Sequence, residues 1–310
     1  MKYLVTGGMG FLGSNLCDAL IRRGDEVICV DSGVIGNERN IEALKENNRF
    51  RLELVDVCKP FDCGEVDGIF HLASPTAPAE TYKHPEMTLE VNSKTTLAMI
   101  AMAEKHSAKM LFASSIKVND RQTFNSTYIQ GKMLGENFCR EARFVKVARM
   151  GNIYGPGMAA DDSRVIPTFI RATIKNCPLN VWGDGSQVDS FCYASDAVAA
   201  LIAFMDSAYD GVMEIGSSQP ITILDLAFKV LSVNSADLPI IFDQPGGSSV
   251  VVCENISYEN NRTIKALAAK SRKVPETTLA EIYLKWKPRV TLADGIWKTT
   301  EYYKSILRSA

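Results

Sequence analysis

The chain has 310 residues, a formal net charge of −2, and apolar and charged contents of 46% and 23%. This is the composition of an ordinary globular protein with one large domain or two closely joined domains. Lys and Arg form no basic stripe, which argues against a nucleic-acid-binding protein. No apolar run approaches the roughly 18 residues that a membrane-spanning helix needs.

The 8 cysteines form no Cys-x-x-Cys pair and no zinc-like spacing, and most of them lie in apolar runs. A free cysteine in such a run behaves as a small hydrophobic residue. The N-terminal apolar run stops at Thr6, so we do not expect it to be a signal peptide. These features favour a protein of the reducing cytoplasm with no metal site.

The first predicted element is a buried strand over Lys2 to Thr6, because this short apolar run is followed by glycines. It leads into a Gly-x-x-Gly-x-x-Gly variant of the dinucleotide-binding fingerprint, formed by Gly7, Gly10 and Gly13. These glycines allow a tight turn, the approach of a pyrophosphate to the backbone, and close packing of a helix on the sheet. The helix predicted over Ser14 to Arg23 presents free N–H groups to the phosphates.

Carboxylates follow the next two predicted strands. The strand Glu26 to Val30 ends at Asp31, 18 positions after Gly13 and close to where a carboxylate binds the adenosine ribose hydroxyls. Because an acid there repels a 2′-phosphate, NAD is favoured over NADP. The strand Phe50 to Leu54 is followed by Asp56, which is placed to meet the adenine edge.

Two further strands are expected to end at the same edge of the sheet, over the cofactor. Gly68 to Leu72 is a buried apolar run that contains His71, and Lys109 to Ser115 ends in two serines. His71 is expected to pack or to form hydrogen bonds, because a chain with 3 histidines gives little support for a metal or triad site. Between these strands, a long helical pattern runs from Pro85 to Lys105.

The segment Ser126 to Lys132 contains a Tyr-x-x-x-Lys motif. On the helix predicted to run to about Ala142, this spacing puts Tyr128 and Lys132 on one face. A neighbouring ammonium favours the phenolate, so we expect Lys132 to lower the pKa of Tyr128 from its usual value near 10. Such a phenol takes a proton from an alcohol and returns it. The motif alone also occurs by chance on amphipathic helices, and the glycine motif earlier in the chain supports its catalytic interpretation.

Strands alternate with helices as far as a sixth predicted strand, Phe144 to Arg149, which predicts an α/β fold with a doubly wound parallel (Rossmann) sheet over residues 1–155. Residues 151–157 are predicted to be a loop. After Pro156 the pattern changes, and we predict a smaller, discontinuous C-terminal substrate lobe over 156–310, with about 188–212 completing the first domain. The elements predicted there are a short strand at Leu179–Trp182 and helices at Arg164–Ile174, Thr222–Leu231, Leu279–Leu284 and Leu292–Tyr303, and Phe191–Phe204 is expected to lead into another helix. Short apolar pieces lie at Glu214–Gly216, Ile240–Ile241 and Ser249–Cys253.

Taken together, the motifs resemble the extended short-chain dehydrogenase/reductase family, the NAD-dependent epimerase/dehydratase group that modifies nucleotide sugars. The resemblance covers nearly the whole chain and is strongest to the UDP-glucuronate decarboxylases (UDP-xylose synthases). Its markers are the glycine motif, Asp31, His71-Leu72-Ala73-Ser74, Ser114-Ser115, Tyr128-x-x-x-Lys132, Arg149-x-x-Asn152-x-Tyr154-Gly155-Pro156 and Gly183-Asp184-Gly185.

The resemblance implies that Tyr128 takes a proton from the sugar C4 hydroxyl while a hydride passes from C4 to NAD. Ser115 then hydrogen-bonds the same oxygen, and Lys132 also holds the nicotinamide ribose. The implied cofactor contacts are Gly7, Gly10, Phe11, Leu12, Asp31, Asp56, Val57, Leu72, Ala73, Ser74, Ser114, Tyr128 and Lys132. The implied contacts to a UDP-sugar substrate are Lys117, Asn152, Val165 and Arg272.

The chain also departs from the decarboxylase pattern. Lys117 stands where the decarboxylases carry a glutamate, and Asp189 replaces an arginine that contacts the diphosphate. Decarboxylation, 4-epimerisation and dehydration of the 4-keto sugar therefore stay open. An alternative of another class is a dinucleotide-binding protein without turnover.

The resemblance further implies a homodimer that pairs through the helices at Pro85–Lys105 and Ser126–Ala142. The alternative is that these helices only cover one face of the sheet.

Overall fold

The computed structural model describes residues 1–243, 249–252 and 274–308. Its strands are β1 Lys2–Thr6, β2 Glu26–Asp31, β3 Phe50–Leu54, β4 Gly68–His71, β5 Lys109–Ser115, β6 Val145–Met150, β7 Asn152–Tyr154, β8 Leu179–Trp182, β9 Val188–Tyr193, β10 Val212–Ile215, β11 Pro220–Thr222, β12 Ile240–Asp243 and β13 Ser249–Val252. Its α-helices are α1 Phe11–Arg23, α2 Pro78–Lys83, α3 Pro85–Asn92, α4 Lys94–His106, α5 Thr127–Glu141, α6 Val165–Ile174, α7 Ala194–Asp206, α8 Ile223–Val233, α9 Thr278–Leu284 and α10 Leu292–Arg308. Short 3-10 helices cover Glu38–Leu44, Ile116–Asn119 and Arg121–Thr123.

A seven-stranded sheet in the order β3-β2-β1-β4-β5-β6-β10 forms the centre of the described structure. Each neighbouring pair of its strands is parallel. The strand order reverses between β1 and β4, and such a reversal opens a crevice at the carboxyl ends of the strands. The predicted doubly wound parallel sheet is therefore confirmed.

Apolar clusters cover both faces of this sheet. Leu16 of α1 and Leu201 of α7 are fully buried in one cluster. Met99 of α4 and Cys139 of α5 are buried in another, together with residues of β4 and β5. Because helices cover both faces, the central strands read as continuous apolar runs rather than as alternating patterns.

A third apolar cluster belongs to the C-terminal part of the chain. Phe169 of α6, Val230 of α8 and Tyr303 of α10 pack there against β8 and β12. Two small sheets, in the orders β11-β9-β7 and β13-β12-β8, flank this cluster. Thr222 is the N-cap of α8, and its side chain accepts a hydrogen bond from the Asp225 amide.

The long helix predicted over Pro85 to Lys105 is wrong in one respect, because Ser93 divides it into α3 and α4. Ser93 has φ −117° and ψ −81°, which are not helical angles. Its hydroxyl donates to the carbonyl of Leu89 at 2.6 Å, so the side chain competes with the helical backbone.

One further prediction needs correction. The predicted loop 151–157 contains the strand β7, whereas Phe191–Phe204 runs from β9 into the helix α7, as expected. β7 and β9 pair with each other in parallel, with Asn152 opposite Phe191. β7 has three residues and its partner strand lies far along the chain, so the neighbouring sequence shows too little alternation to predict it.

No helix among residues 1–243 and 274–308 is long and apolar enough to cross a membrane.

Candidate active site

The turn between β1 and α1 lies at the crevice of the sheet. Gly7 has φ +72°, and a Cβ added to it would lie 2.8 Å from the Cα of Ala73. A Cβ on Gly13 would lie 2.1 Å from the carbonyl oxygen of Gly7, so this position accepts no larger residue without a backbone shift. The N-cap residue of α1 is Gly10, and no side chain caps the helix there. The turn therefore offers bare backbone N–H groups to an anion and fits the pyrophosphate of NAD.

Asp31 is fixed at the end of β2. One carboxylate oxygen accepts the amide of Met9 at 3.0 Å, and the other accepts the amide of Gly33 at 3.0 Å. A Cβ on Gly36 would lie 2.9 Å from both oxygens, so the loop lies closely against the carboxylate. The negative charge at this position fits the ribose hydroxyls of NAD and disfavours the 2′-phosphate of NADP.

A cleft of about 900 Å³ runs from the glycine turn to α6. With one exception, each residue predicted to bind cofactor or substrate lines this cleft: Gly7, Gly10, Phe11, Leu12, Asp31, Asp56, Val57, Leu72, Ala73, Ser74, Ser114, Ser115, Lys117, Tyr128, Lys132, Asn152 and Val165. The exception is Arg272, which lies outside the described residues. The contacts of these side chains with ligands stay predictions. Within the described part of the chain, no group of His, Cys, Asp and Glu side chains is arranged to hold a metal ion.

Tyr128 is the second residue of α5 and faces Ser115 at the end of β5. The Ser115 hydroxyl acts to lower the pKa of the Tyr128 phenol. The guanidinium of Arg164 also acts to lower the pKa of Tyr128. Burial outweighs both effects and raises the pKa of Tyr128 to about 12.

Lys132 lies one turn further along α5, and 2% of it is exposed. Its ammonium donates a hydrogen bond of 2.5 Å to the carbonyl of Ala113 in β5 and lies 5.6 Å from the centre of the Tyr128 ring. Burial lowers the pKa of Lys132 to about 7, against an opposing effect of the Glu136 carboxylate.

The prediction that Lys132 lowers the pKa of Tyr128 is therefore wrong for this structure. The spacing of the two side chains is as expected, but burial disfavours the charged form of each of them. The ammonium is directed at a backbone carbonyl of β5 rather than at the phenol oxygen. Burial of this degree is not visible in the spacing of two residues.

His71 is fully enclosed beneath the cleft. Its Nδ1 lies 2.7 Å from the Thr6 hydroxyl, and its Nε2 lies 3.3 Å from the carbonyl of Val91. Because a carbonyl only accepts, we assign the ring proton to Nε2. Burial, together with the charge of Lys132, lowers the pKa of His71 to about 3, so the ring is neutral. These contacts confirm the expected packing and hydrogen-bonding role.

A buried polar network behind Lys132 was not predicted. The Ser114 hydroxyl donates to Glu136 at 2.6 Å, and Arg149 donates to the same carboxylate. The guanidinium also donates to the Asn119 side chain at 3.0 Å, which in turn donates to Glu214 at 2.8 Å. The network joins α5, β5, β6 and β10 to the 3-10 helix that carries Lys117. The sequence signal that was missed is the four-residue spacing of Lys132 and Glu136, which puts them on one helix face.

The end of the cleft where the substrate is predicted to bind is formed by several short elements. Lys117 is exposed on the 3-10 helix after β5, and Val165 is the first residue of α6. Arg164, also not predicted, is held in place by Asp162, to which it donates at 2.9 Å from Nε and at 2.6 Å from Nη2. Asp189 in β9 accepts a hydrogen bond from the side-chain amide of Asn152.

Residues 3–216 match the sequence model of one protein family, the NAD dependent epimerase/dehydratase family. Among curated proteins, UDP-glucuronic acid decarboxylase 1 of Arabidopsis thaliana is 32% identical in an alignment that covers 96% of this chain and 68% of that protein. UDP-glucuronic acid decarboxylase 1 of Xenopus tropicalis is also 32% identical, covering 99% of this chain and 73% of that protein.

Solved structures of epimerases share the fold. UDP-glucose 4-epimerase from Thermotoga maritima, solved with UDP-glucose, superposes with a TM-score of 0.79 at 24% identity, covering 99% of this chain and 100% of that one. UDP-glucuronic acid 4-epimerase from Bacillus cereus, solved with NAD, gives a TM-score of 0.81 at 22% identity, covering 100% of this chain and 98% of that one. The glycine turn, Asp31 and the Tyr-x-x-x-Lys helix thus agree with the family match, and the chain belongs to the NAD dependent epimerase/dehydratase family.

Proposed function

We propose that the protein is an NAD-dependent enzyme that modifies a UDP-sugar through a transient 4-keto intermediate, with decarboxylation of UDP-glucuronate as the leading reaction. One observation carries this proposal: Tyr128, Ser115 and Lys132 converge in the cleft that also holds the glycine turn and Asp31. The decarboxylation rests on the relatives named UDP-glucuronic acid decarboxylase, which match nearly the whole chain.

The residues of the chain have distinct roles in this reaction. The glycine turn and Asp31 would hold NAD, which would supply reversible hydride transfer at the sugar C4. Tyr128 takes the proton of the C4 hydroxyl and gives it back at the end of the cycle, while Ser115 hydrogen-bonds the same oxygen. Burial raises the pKa of Tyr128, and Ser115 and Arg164 oppose that effect, in the direction that a base requires. Lys132 would contact the nicotinamide ribose of bound NAD.

Lys117 favours a second candidate, 4-epimerisation of the same kind of substrate. In the decarboxylases that the chain resembles, this position carries a glutamate, and here it carries an exposed lysine at the mouth of the cleft. The replacement removes a hydrogen-bond acceptor and inverts the local charge. Epimerisation needs no additional carboxylate, because the 4-keto sugar only has to rotate in the site so that the hydride returns to the opposite face of C4.

The experiment that tests these proposals is incubation of the pure protein with NAD and a panel of UDP-sugars, followed by mass spectrometry and NMR. Loss of the mass of carbon dioxide from UDP-glucuronate supports decarboxylation, and loss of the mass of water supports dehydration. An unchanged mass with inverted C4 stereochemistry supports epimerisation. Tight NAD binding without a product from any UDP-sugar would instead identify a dinucleotide-binding protein without turnover.

The proposal also assigns NAD binding and substrate binding to different parts of the chain. Residues 1–155, completed by about 188–212, form the NAD-binding domain, and 156–310 mainly bind the substrate. The elements that support this division are the glycine turn and Asp31 in the first part, and Val165 in the second, all on the same cleft. A cytoplasmic location remains a prediction from the cysteine pattern.

We also propose a homodimer that pairs through α4 and α5. Leu97 on α4 and Leu134 on α5 are 45% and 41% exposed, and both helices pack on the same side of the sheet. Apolar side chains of this size are often covered at subunit interfaces. Light scattering on the double variant L97E/L134E tests this proposal, since a dimeric wild type and a monomeric variant are expected. A monomeric wild type would contradict it.

A further inference from the structure

The side chain of Asn152 is held in one orientation by two partners. Asn152 starts β7, and its amide nitrogen donates to the Asp189 carboxylate in the adjacent strand β9. The same nitrogen donates to the carbonyl of Ser190 at 3.3 Å. A carboxylate and a carbonyl only accept hydrogen bonds. The nitrogen of Asn152, and not its oxygen, must therefore face β9.

This arrangement decides what Asn152 presents on its other side. The amide is planar, so the oxygen Oδ1 points away from the Asp189 carboxylate. Asn152 is half-buried and lines the cleft, and none of the hydrogen bonds between described residues uses this oxygen. Asn152 therefore presents a hydrogen-bond acceptor, and not a donor, to the cleft.

Asp189 itself is held in a fixed position. The carboxylate oxygen that accepts from Asn152 also accepts the backbone amide of Ser190 at 3.0 Å. The backbone of Asp189 pairs with Ile221 of β11, so β9 is supported on its outer side. The carboxylate is thus placed by the small sheet before any ligand enters the cleft.

We propose that Asp189 is a positioning residue that fixes Asn152 as a hydrogen-bond acceptor, so that Asn152 recognises a hydroxyl of the nucleotide sugar and not its phosphates. The proposal rests on the proposed function. Phosphate oxygens that carry charge only accept hydrogen bonds, so they gain nothing from Oδ1. A hydroxyl of the sugar or of the ribose donates to Oδ1, and either one satisfies the geometry.

The first test compares two variants in calorimetric titrations with UDP-glucuronate in the presence of NAD. Asp189→Leu removes the acceptor that orients Asn152 and is expected to weaken binding by about tenfold, the worth of one good hydrogen bond. Asp189→Asn keeps an acceptor oxygen and is expected to restore most of that loss, with an effect on KM and not on kcat. The control is Asp184→Leu, which removes an exposed carboxylate outside the cleft and leaves binding unchanged. Equal binding by wild type and Asp189→Leu would overturn the proposal.

The second test identifies the hydroxyl. Asn152→Ala is titrated with UDP-glucuronate, with the analogue lacking the ribose 2′-hydroxyl, and with analogues lacking single sugar hydroxyls. The substitution is expected to weaken binding of the parent by about tenfold and to cost nothing further for the one analogue that lacks the donor. A loss of equal size for every deoxy analogue would show that Asn152 does not read a hydroxyl.

A third measurement needs no substrate and separates this inference from the proposed function. In nitrogen-15 NMR spectra, the side-chain NH2 protons of Asn152 are expected to exchange slowly with solvent in the wild type and fast in Asp189→Leu. Fast exchange in the wild type would overturn the positioning by Asp189. Slow exchange in a protein that binds no UDP-sugar would support the positioning while refuting the proposed function.

Discussion

The carboxylate of Glu136 accepts two hydrogen bonds from the guanidinium of Arg149, from Nη2 at 2.6 Å and from Nε at 2.9 Å. The two side chains are 4% and 19% exposed, so this is a largely buried, bidentate ion pair. It joins α5 to β6, while Ser114 joins the same carboxylate to β5. Since α5 carries Tyr128 and Lys132, the ion pair fixes the helix of the proposed catalytic residues against the strand that ends in Ser115.

Removing one partner of this ion pair is expected to be costly. Glu136→Ala leaves the Arg149 guanidinium without its carboxylate, and we expect it to lower the free energy of unfolding by about 3 kcal/mol. Glu136→Gln keeps an acceptor oxygen and should cost less. Urea denaturation provides the measurement. The control is Glu90→Ala, whose exposed pair with Lys94 is worth about 0.5 kcal/mol or less. Similar losses for Glu136→Ala and Glu90→Ala would show that the buried pair is not important for stability.

Tyr128→Phe tests the assignment of the proton-transfer residue. The substitution keeps the ring and removes the hydroxyl, so we expect turnover of the UDP-sugar to fall by about 10²-fold to 10⁴-fold. Binding of NAD, followed by calorimetry, should change little because the glycine turn and Asp31 are intact. As the control, Tyr82→Phe alters a tyrosine that is 86% exposed and should retain full activity. Full activity of Tyr128→Phe would refute the acid–base role.

The buried Lys132 predicts a specific dependence of stability on pH. Its pKa is about 7 in the folded chain and is 10.5 when unperturbed. Between these values the unfolded state binds more protons than the folded state, so stability rises with pH. The Lys132 contribution is fully restored above pH 10.5 and is lost as the pH falls through about 7.

Urea denaturation of the wild type and of Lys132→Met at pH 7 and pH 9 tests this dependence. The wild type should gain stability over this interval relative to the variant, by at most about 1.4 kcal/mol per pH unit. The control is Lys94→Met, an exposed lysine, which should follow the wild-type curve. If Lys132→Met and the wild type showed parallel curves, Lys132 would not be the buried, titrating group.

The parts of the site that the sequence predicted are those encoded within a few neighbouring residues. The glycine turn needs Gly7 and Gly13, and the helix needs the four-residue spacing of Tyr128 and Lys132. Their place on one cleft follows from the order of strands in a parallel sheet. Short local patterns of this kind predict both a fold and a candidate site.

The features that were not predicted depend on residues that are distant along the chain. Asn152 and Asp189 are 37 positions apart, and Asn119 and Glu214 are 95 positions apart. Neither pair leaves a periodic signal, because the two elements that carry its members are joined by a long connection. The raised pKa of Tyr128 was also not predictable from neighbouring residues, because the burial that causes it comes from several elements of the fold.

Asp31 predicts which dinucleotide the protein prefers. Its two oxygens are fixed by the amides of Met9 and Gly33, so its charge stays at the end of β2 where the adenosine ribose is expected. Asp31→Ala removes that charge and should weaken NAD binding by about tenfold, since it deletes a charge-assisted hydrogen bond. The same change should improve binding of NADP relative to NAD, because the 2′-phosphate no longer meets a carboxylate. The measurement is calorimetric titration of both dinucleotides, with Asp18→Ala on the exposed side of α1 as the control. If the ratio of NAD to NADP affinity were the same in Asp31→Ala and in the wild type, Asp31 would not read the ribose, and the preference for NAD would need another origin in the cleft.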